Sequence, residues 1–332
     1  MVPIVDLEAS DAARRIDRAC RDVGFFLLAG HGIPPSKRRR MDAVAREFFT
    51  QPESVKEMVA MPRSGLAWRG WFPLRGELTS GIPDLKEGYY VGRDLPFDHQ
   101  AVIDGRPLHG PNLWPESLPE LRAAVDDWMA EVETVGQQAL ATMAQGLGLD
   151  NHFFVDHLTS DPTVLFRIFR YPPHPAGSDG ADRWGVGEHS DYGLLTLLAH
   201  DGRPGLEVKV ADGRWAPVPA DPELIVCNLG DMLDRLTAGR YRSTPHRVRN
   251  HAEGDRLSFP FFLDPDWEAR IDPIALDDGW ITPDDRLTRW DRANLRDIGG
   301  TYGDWLTAKV RNVFPDLAAT ALAETTSSTG RI

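Results

Sequence analysis

His189-Ser190-Asp191-Tyr192-Gly193-Leu194-Leu195-Thr196-Leu197-Leu198 places a His-x-Asp pair directly before a largely apolar run. Residues i and i+2 of an extended segment point to one side, so His189 and Asp191 can reach a single metal ion. The run Leu194–Leu198 reads as a buried strand ended by the Asp201-Gly202 turn. Farther along stands His246, and beyond it Arg256 and Ser258. Two neutral imidazoles and a carboxylate suit Fe(II), and three protein ligands on one face leave positions open for other ligands. A guanidinium offers a planar fork to a carboxylate, and a serine hydroxyl adds a further donor. The five residues in this order therefore predict dioxygen activation beside a docked small carboxylate.

Each piece alone is weak. A His-x-Asp tripeptide arises by chance in a chain with ten histidines and many aspartates. A lone His246 reads as a structural histidine, and a lone Arg256 as an edge-strand charge in an ordinary ion pair. His251-Ala252-Glu253 competes as a second His-x-acid, but Asn250, Gly254 and Asp255 around it read as a solvated turn. The ordered constellation carries the reading.

Outward from that stretch, the second half of the chain consists of short β-rich runs separated by turn chemistry. Val164–Tyr171, Leu206–Val210, Trp215–Val218, Leu224–Cys227, Pro245–Val248 and Leu257–Leu263 are the runs, and Ala211-Asp212-Gly213-Arg214 is a hairpin signal between two of them. Such a series predicts a sandwich or jelly roll. The first half reads differently. Ser10 is placed to cap a helix through Ile16 and Cys20, and Gly24–Gly30 reads as a buried strand. After Pro119, Leu121, Val125, Trp128, Val132, Val135, Ala139 and Met143 recur at helical steps, and Gly146 and Gly148 close that helix. Lys37-Arg38-Arg39-Arg40 reads as the solvated face of another helix. Tyr302, Trp305, Leu306, Val310 and Phe314 again have helical spacing.

The chain has 332 residues, 42% hydrophobic and 26% charged, enough to bury a large core. No apolar run reaches the length of a membrane span, and no signal peptide is expected at Met1–Asp6. A net charge of −13 argues against a broad nucleic-acid surface. Cys20 and Cys227 are the two cysteines, which excludes a disulfide framework and fits a reducing, cytoplasmic setting. Oligomeric state is not legible.

Several stretches resemble the isopenicillin-N-synthase-like family of Fe(II)/2-oxoglutarate oxygenases. They are Arg170-Tyr171-Pro172-Pro173, the 189–198 run, Asn228–Leu233, Gly239–Val248 and Asp255–Phe262. Val2–Leu7, Gly24–Ile33 and Asp84–Gly88 extend the likeness over nearly the whole chain. The resemblance implies a mainly β fold with α elaboration: a double-stranded β-helix (jelly-roll) core flanked by N-terminal and C-terminal helices. It implies a single oxygenase domain over 1–323, helix-rich to about 160, with a jelly-roll core over about 161–265 and a helical part over about 266–323. Residues 324–332 are expected to form a disordered tail. By the same resemblance His189, Asp191 and His246 are expected to hold iron. Arg256 and Ser258, assisted by Tyr171, are expected to hold the distal carboxylate of 2-oxoglutarate.

The expected activity is oxidation of an unactivated C–H of a small molecule with O2, giving succinate and CO2 beside the product. Hydroxylation is the first outcome, with desaturation or cyclisation as other exits. Two alternatives stay open: a 2-oxoglutarate-independent oxidase whose Arg-x-Ser pair holds the substrate's own carboxylate, and a non-catalytic binding protein on the same scaffold. Trp68, Trp71, Phe72, Tyr90 and Tyr192 are candidate walls of an apolar, aromatic substrate pocket. Gly193 is expected to let the chain twist so that Tyr192 returns toward the cavity. Asn228 either supports the metal site or caps the Gly230-Asp231 turn.

Overall fold

Two sheets frame the molecule in the computed structural model, which describes residues 1–79, 81–173, 184–249, 254–276, 289, 291–292 and 294–313. The strands are β1 (Ile4–Asp6), β2 (Phe25–Ala29), β3 (Gly70–Phe72), β4 (Glu87–Gly92), β5 (Pro162–Tyr171), β6 (Trp184–His189), β7 (Leu195–His200), β8 (Leu206–Lys209), β9 (Trp215–Pro217), β10 (Ile225–Leu229), β11 (His246–Arg249) and β12 (Arg256–Asp266). The larger sheet runs β1-β2-β10-β7-β12-β5-β4-β3, and the smaller runs β6-β11-β8-β9. Apart from the parallel β1–β2 pair, every named strand pair is antiparallel. Helices α1 (Ala12–Asp22), α2 (Pro35–Thr50), α3 (Glu53–Lys56), α4 (Gln100–Ile103), α5 (Glu120–Gly146), α6 (Phe153–His157), α7 (Asp231–Leu236) and α8 (Tyr302–Val313) surround them.

The hydrophobic patterns account for most of this. β5 and β12 alternate little because nearly every residue on both is buried, as expected of strands covered on both faces. On α5 the seven residues read as one helical face are all buried. That helix packs on α1, α2, β7 and β12. The basic run of α2 is tied to its neighbours as well as solvated. Lys37 pairs with Glu131 at 2.5 Å and Arg40 with Asp127 at 2.7 Å, both on α5.

Four details differ from the sequence reading. Ser10 does not cap α1: the helix begins at Ala12, and Asp11 in the cap position makes no side-chain cap bond. The helix-rich N-terminal part contributes β1 to β4 to the larger sheet, so the sheet extends well beyond 161–265. β3, β4 and β6 escaped notice because Gly70, Gly88, Gly92, Gly185 and Gly187 interrupt their patterns; pairing with neighbours, not propensity, makes them strands. Between β12 and α8 the described residues form one short 3-10 turn, Leu295–Asp297, in place of a continuous helical part. Phe314, the 251–253 tripeptide and the expected tail lie outside the described residues.

Candidate metal and 2-oxoglutarate centre

β6 and β11 pair antiparallel, and His189 stands directly opposite His246 in their register. Asp191 follows two residues after His189. Strand pairing thus converts two distant histidines into neighbours, with ring centroids 4.2 Å apart. His189 Nε2 lies 3.9 Å and His246 Nε2 3.6 Å from Asp191 Oδ1. One ligand atom from each of the three residues falls within 4.8 Å of the others.

The surroundings fix which atom each residue presents. His189 Nδ1 lies 2.8 Å from the Gly187 carbonyl and His246 Nδ1 3.2 Å from the Thr244 carbonyl. Both carbonyls place the proton on Nδ1 and leave the Nε2 lone pairs free, the form that a metal requires. Asp191 Oδ2 accepts from Thr196 Oγ1 at 2.5 Å and from Asn228 Nδ2 at 2.6 Å, which leaves Oδ1 toward the imidazoles. Asn228 therefore supports the site directly. Burial, then the neighbouring His246, depresses the His189 pKa to about 3, so its ring stays neutral. Burial would raise the Asp191 carboxyl, but its surroundings, including the hydrogen bonds from Thr196 and Asn228, favour the ionised form and the net shift is downward. Two imidazole nitrogens and an ionised carboxylate with one open side are the donor chemistry Fe(II) takes.

Arg256 opens β12 directly opposite Tyr171, the last residue of β5. Its guanidinium lies over the Tyr171 ring at 4.9 Å, and Ser258 Oγ donates to Tyr171 Oη at 3.4 Å. Arg256 is 4% exposed, yet its Nη1 has no hydrogen-bond partner among the described residues. A buried guanidinium nitrogen left free beside a serine and a tyrosine hydroxyl is a cradle for a carboxylate. Tyr171 and Ser258 line the cavity that the triad also faces.

Trp68, Tyr90 and Tyr192 line the same cavity. Trp71 and Phe72 do not face it. Trp71 donates through Nε1 to Glu87 at 2.9 Å beneath the Lys56 ammonium. Phe72 packs on Tyr90 and Phe169. Strand alternation in β3 cannot say which face is the cavity; its pairing with β4 decides that. Gly193 also serves a different purpose from the expected twist. A Cβ there would meet Asp264 Oδ1 at 1.4 Å, so the glycine makes room for that carboxylate.

Sequence reasoning missed Thr196, Arg69, Lys86, Arg167 and Asp264, all of which line the cavity. Arg167 had a usable signal. It is a charge inside an apolar strand, on the same alternation as Phe169 and Tyr171. Asp264 accepts from Tyr302 Oη at 2.5 Å and from the Leu194 amide at 3.1 Å, and burial pushes its carboxyl up to about 7.

Fold and site together define a non-haem iron oxygenase, and similarity to known proteins agrees. Residues 161–265 match the 2OG-Fe(II) oxygenase superfamily, and residues 2–117 match the non-haem dioxygenase in morphine synthesis N-terminal model. The Dictyostelium discoideum protein named "Probable iron/ascorbate oxidoreductase" is 38% identical over 95% of this chain and 95% of its own length. The 2-oxoglutarate-dependent dioxygenase citB of Monascus ruber is 35% identical over 82% of this chain and 87% of its own. A Neurospora crassa protein crystallised in complex with alpha-KG and thymine shares the fold, with a TM-score of 0.76 at 24% identity, covering 96% of this chain and 97% of that one. The chain belongs to the Fe(II)/2-oxoglutarate-dependent oxygenases, a jelly-roll oxidoreductase family whose members use Fe(II), 2-oxoglutarate and O2. Among the described residues no helix is long and apolar enough to cross a membrane.

Proposed function

We propose that this protein oxidises an unactivated C–H of a small molecule, with His189, Asp191 and His246 as the iron ligands. Arg256, Ser258 and Tyr171 hold the distal carboxylate of 2-oxoglutarate. The observation that carries this reading is the convergence of three preorganised ligand atoms with Ser258 and Tyr171 along one cavity, the latter two beside an unpartnered, buried Arg256 nitrogen. Iron with its cosubstrate supplies the oxidising power, and succinate and CO2 leave beside the oxidised product.

The protein's own part is positioning and exclusion of water. The Gly187 and Thr244 carbonyls orient the imidazoles, and Thr196 and Asn228 hold one Asp191 oxygen away from the metal side. Trp68, Tyr90, Tyr192, Leu306 and Val310 supply the walls that cover the reacting carbon. The strands from the N-terminal part, paired into the larger sheet, support a single oxygenase domain. Two buried, free cysteines suit a reducing compartment such as the cytoplasm.

The test is anaerobic loading with Fe(II) and 2-oxoglutarate, followed by an oxygen-started metabolite screen that reads succinate. Succinate released in step with an oxidised metabolite is the expected result. Product without succinate would transfer the Arg256/Ser258 pair to the substrate's own carboxylate. Neither product nor oxygen uptake with iron bound would remove the catalytic reading.

A further inference from the structure

Away from the triad, the cavity has a wall built from Trp68, Arg69, Lys86 and Arg167. Its charges do not balance. Lys86, 2% exposed, is held by Glu77 at 2.7 Å and Asp84 at 2.5 Å. Arg167 shares Glu77, with Nη1 3.7 Å from Oε1, and otherwise lies over the rings of Tyr90 and Phe262. Arg69, 3% exposed, forms no ion pair among the described residues. Its Nη2 donates to the Leu108 carbonyl at 2.6 Å. Three cations thus face Glu77 and Asp84. The other acid in this wall, Asp264, is engaged by Tyr302 and the Leu194 amide, and Asp191 faces the imidazoles.

The hydrogen-bond inventory points the same way. Trp68 Nε1, Arg69 Nε and Arg167 Nε are buried and have no partner among the described residues. Indole and guanidinium nitrogens donate and do not accept, so the three nitrogens lack an acceptor in common. The space for the Arg69 guanidinium is specifically provided: a Cβ on Gly92 would lie 2.0 Å from its Nη2. Burial first, and then the nearby Arg167, lowers the Arg69 pKa to about 10 against a smaller opposing pull from Asp94, which forms no ion pair with it among the described residues.

We propose that Arg69 and Arg167, with the Trp68 indole, hold a carboxylate of the primary substrate, so that the enzyme oxidises small carboxylic acids. A single carboxylate supplies the missing charge and enough acceptor sites for all three donors. This site is separate from the Arg256 cradle. Arg167 and Tyr171 share one face of β5 four residues apart, a separation of roughly 13 Å at strand rise. The substrate's acid group is then anchored beside Arg69 and Arg167, and 2-oxoglutarate's beside Arg256, Ser258 and Tyr171. The proposal rests on the oxygenase reading above and narrows it to a substrate class.

The full-length protein, loaded anaerobically with Fe(II) and saturating 2-oxoglutarate, is titrated with a panel of aliphatic and aromatic monocarboxylic acids. Each acid is paired with its own primary amide, and binding is read by calorimetry. Saturating 2-oxoglutarate keeps the Arg256 cradle filled. At least one acid should bind about 30-fold or more tighter than its amide. Arg69→Gln should bring that pair to parity, and Arg69→Lys should keep part of the preference. Arg167→Gln, at a less buried position, provides the same test should Arg69→Gln fail to fold. A panel in which no acid outbinds its amide overturns the proposal. So does a preference that survives both Gln variants, or one that disappears only in Arg256→Gln. Failure of the wild type to take up Fe(II) or 2-oxoglutarate would instead break the oxygenase reading.

Discussion

The triad end of the cavity and the Arg69–Arg167 end treat buried charge in opposite ways. At the triad, each group that must be oriented has its partner. Both imidazole Nδ1 atoms have carbonyls, and one Asp191 oxygen has two donors. At the other end three donor nitrogens are left without acceptors among the described residues. An unmade hydrogen bond to a buried polar group is costly, so a completed network fixes geometry, and unpartnered donors that line a cavity are a place where a ligand can complete it. The Arg256 cradle, with Nη1 unpaired beside Ser258 and Tyr171, belongs to the second kind. On the proposed reading, a rigid metal centre lies between two groups of donors that a carboxylate would complete.

This contrast can be broken most directly at the triad. His246→Ala removes one of three protein ligands, so purified variant should lose stoichiometric iron and its succinate formation should fall to background. Metal analysis beside a turnover assay reads both, and normal iron with normal activity would abolish the assignment. At the cradle, Arg256→Ala should weaken 2-oxoglutarate by on the order of 2–5 kcal/mol, and Arg256→Lys should also weaken it strongly because the planar fork is lost while charge is kept. Calorimetric titration of 2-oxoglutarate into the Fe(II) protein decides; wild-type affinity in Arg256→Ala would mean that another group holds the cosubstrate.

A subtler test addresses the supporting shell. Asn228→Ala leaves the ligands in place but removes one of the two donors to Asp191 Oδ2, so iron affinity should fall by about 10–100-fold. An unchanged metal affinity would show that Thr196 alone orients the carboxylate. The smallest expected effect is on the pH dependence of the metal-free protein. Burial first lowers the pKa of His189 to about 3 and of His200 to about 4, from an ordinary 6.5. The native state thus stays unprotonated at these rings where the unfolded chain takes up protons. Stability should be full above about pH 6.5 and decline as pH falls toward 4. Urea midpoints measured across that window should show a shallower decline in His200→Gln. An identical slope would mean that His200 does not stay neutral in the native protein.

How much of this could be read from the residues alone differs by region. The apolar faces of α5 and the runs that became β5, β7, β10 and β12 were legible, since burial imposes periodicity directly on a sequence. β3, β4 and β6 were not, because their glycines erase the pattern, and β4 and β6 also pair with strands far along the chain. The aromatic stretch at 68–72 shows the same limit: Trp68 faces the cavity, while Trp71 turns to Glu87.

By itself the sequence determined the class of chemistry. The residue types His189, Asp191, His246, Arg256 and Ser258, in that order, carry the donor chemistry for metal ligation and carboxylate recognition, provided that the fold brings them together. The tertiary structure decided everything that depends on register. It set His189 against His246 and Arg256 against Tyr171, and it brought Asn228 to Asp191. It also gathered Arg69 from before β3 and Arg167 from within β5 without a full set of carboxylate partners. The physical reason is that side-chain chemistry is a local property, whereas burial and charge balance are sums over neighbours that only the folded chain assembles.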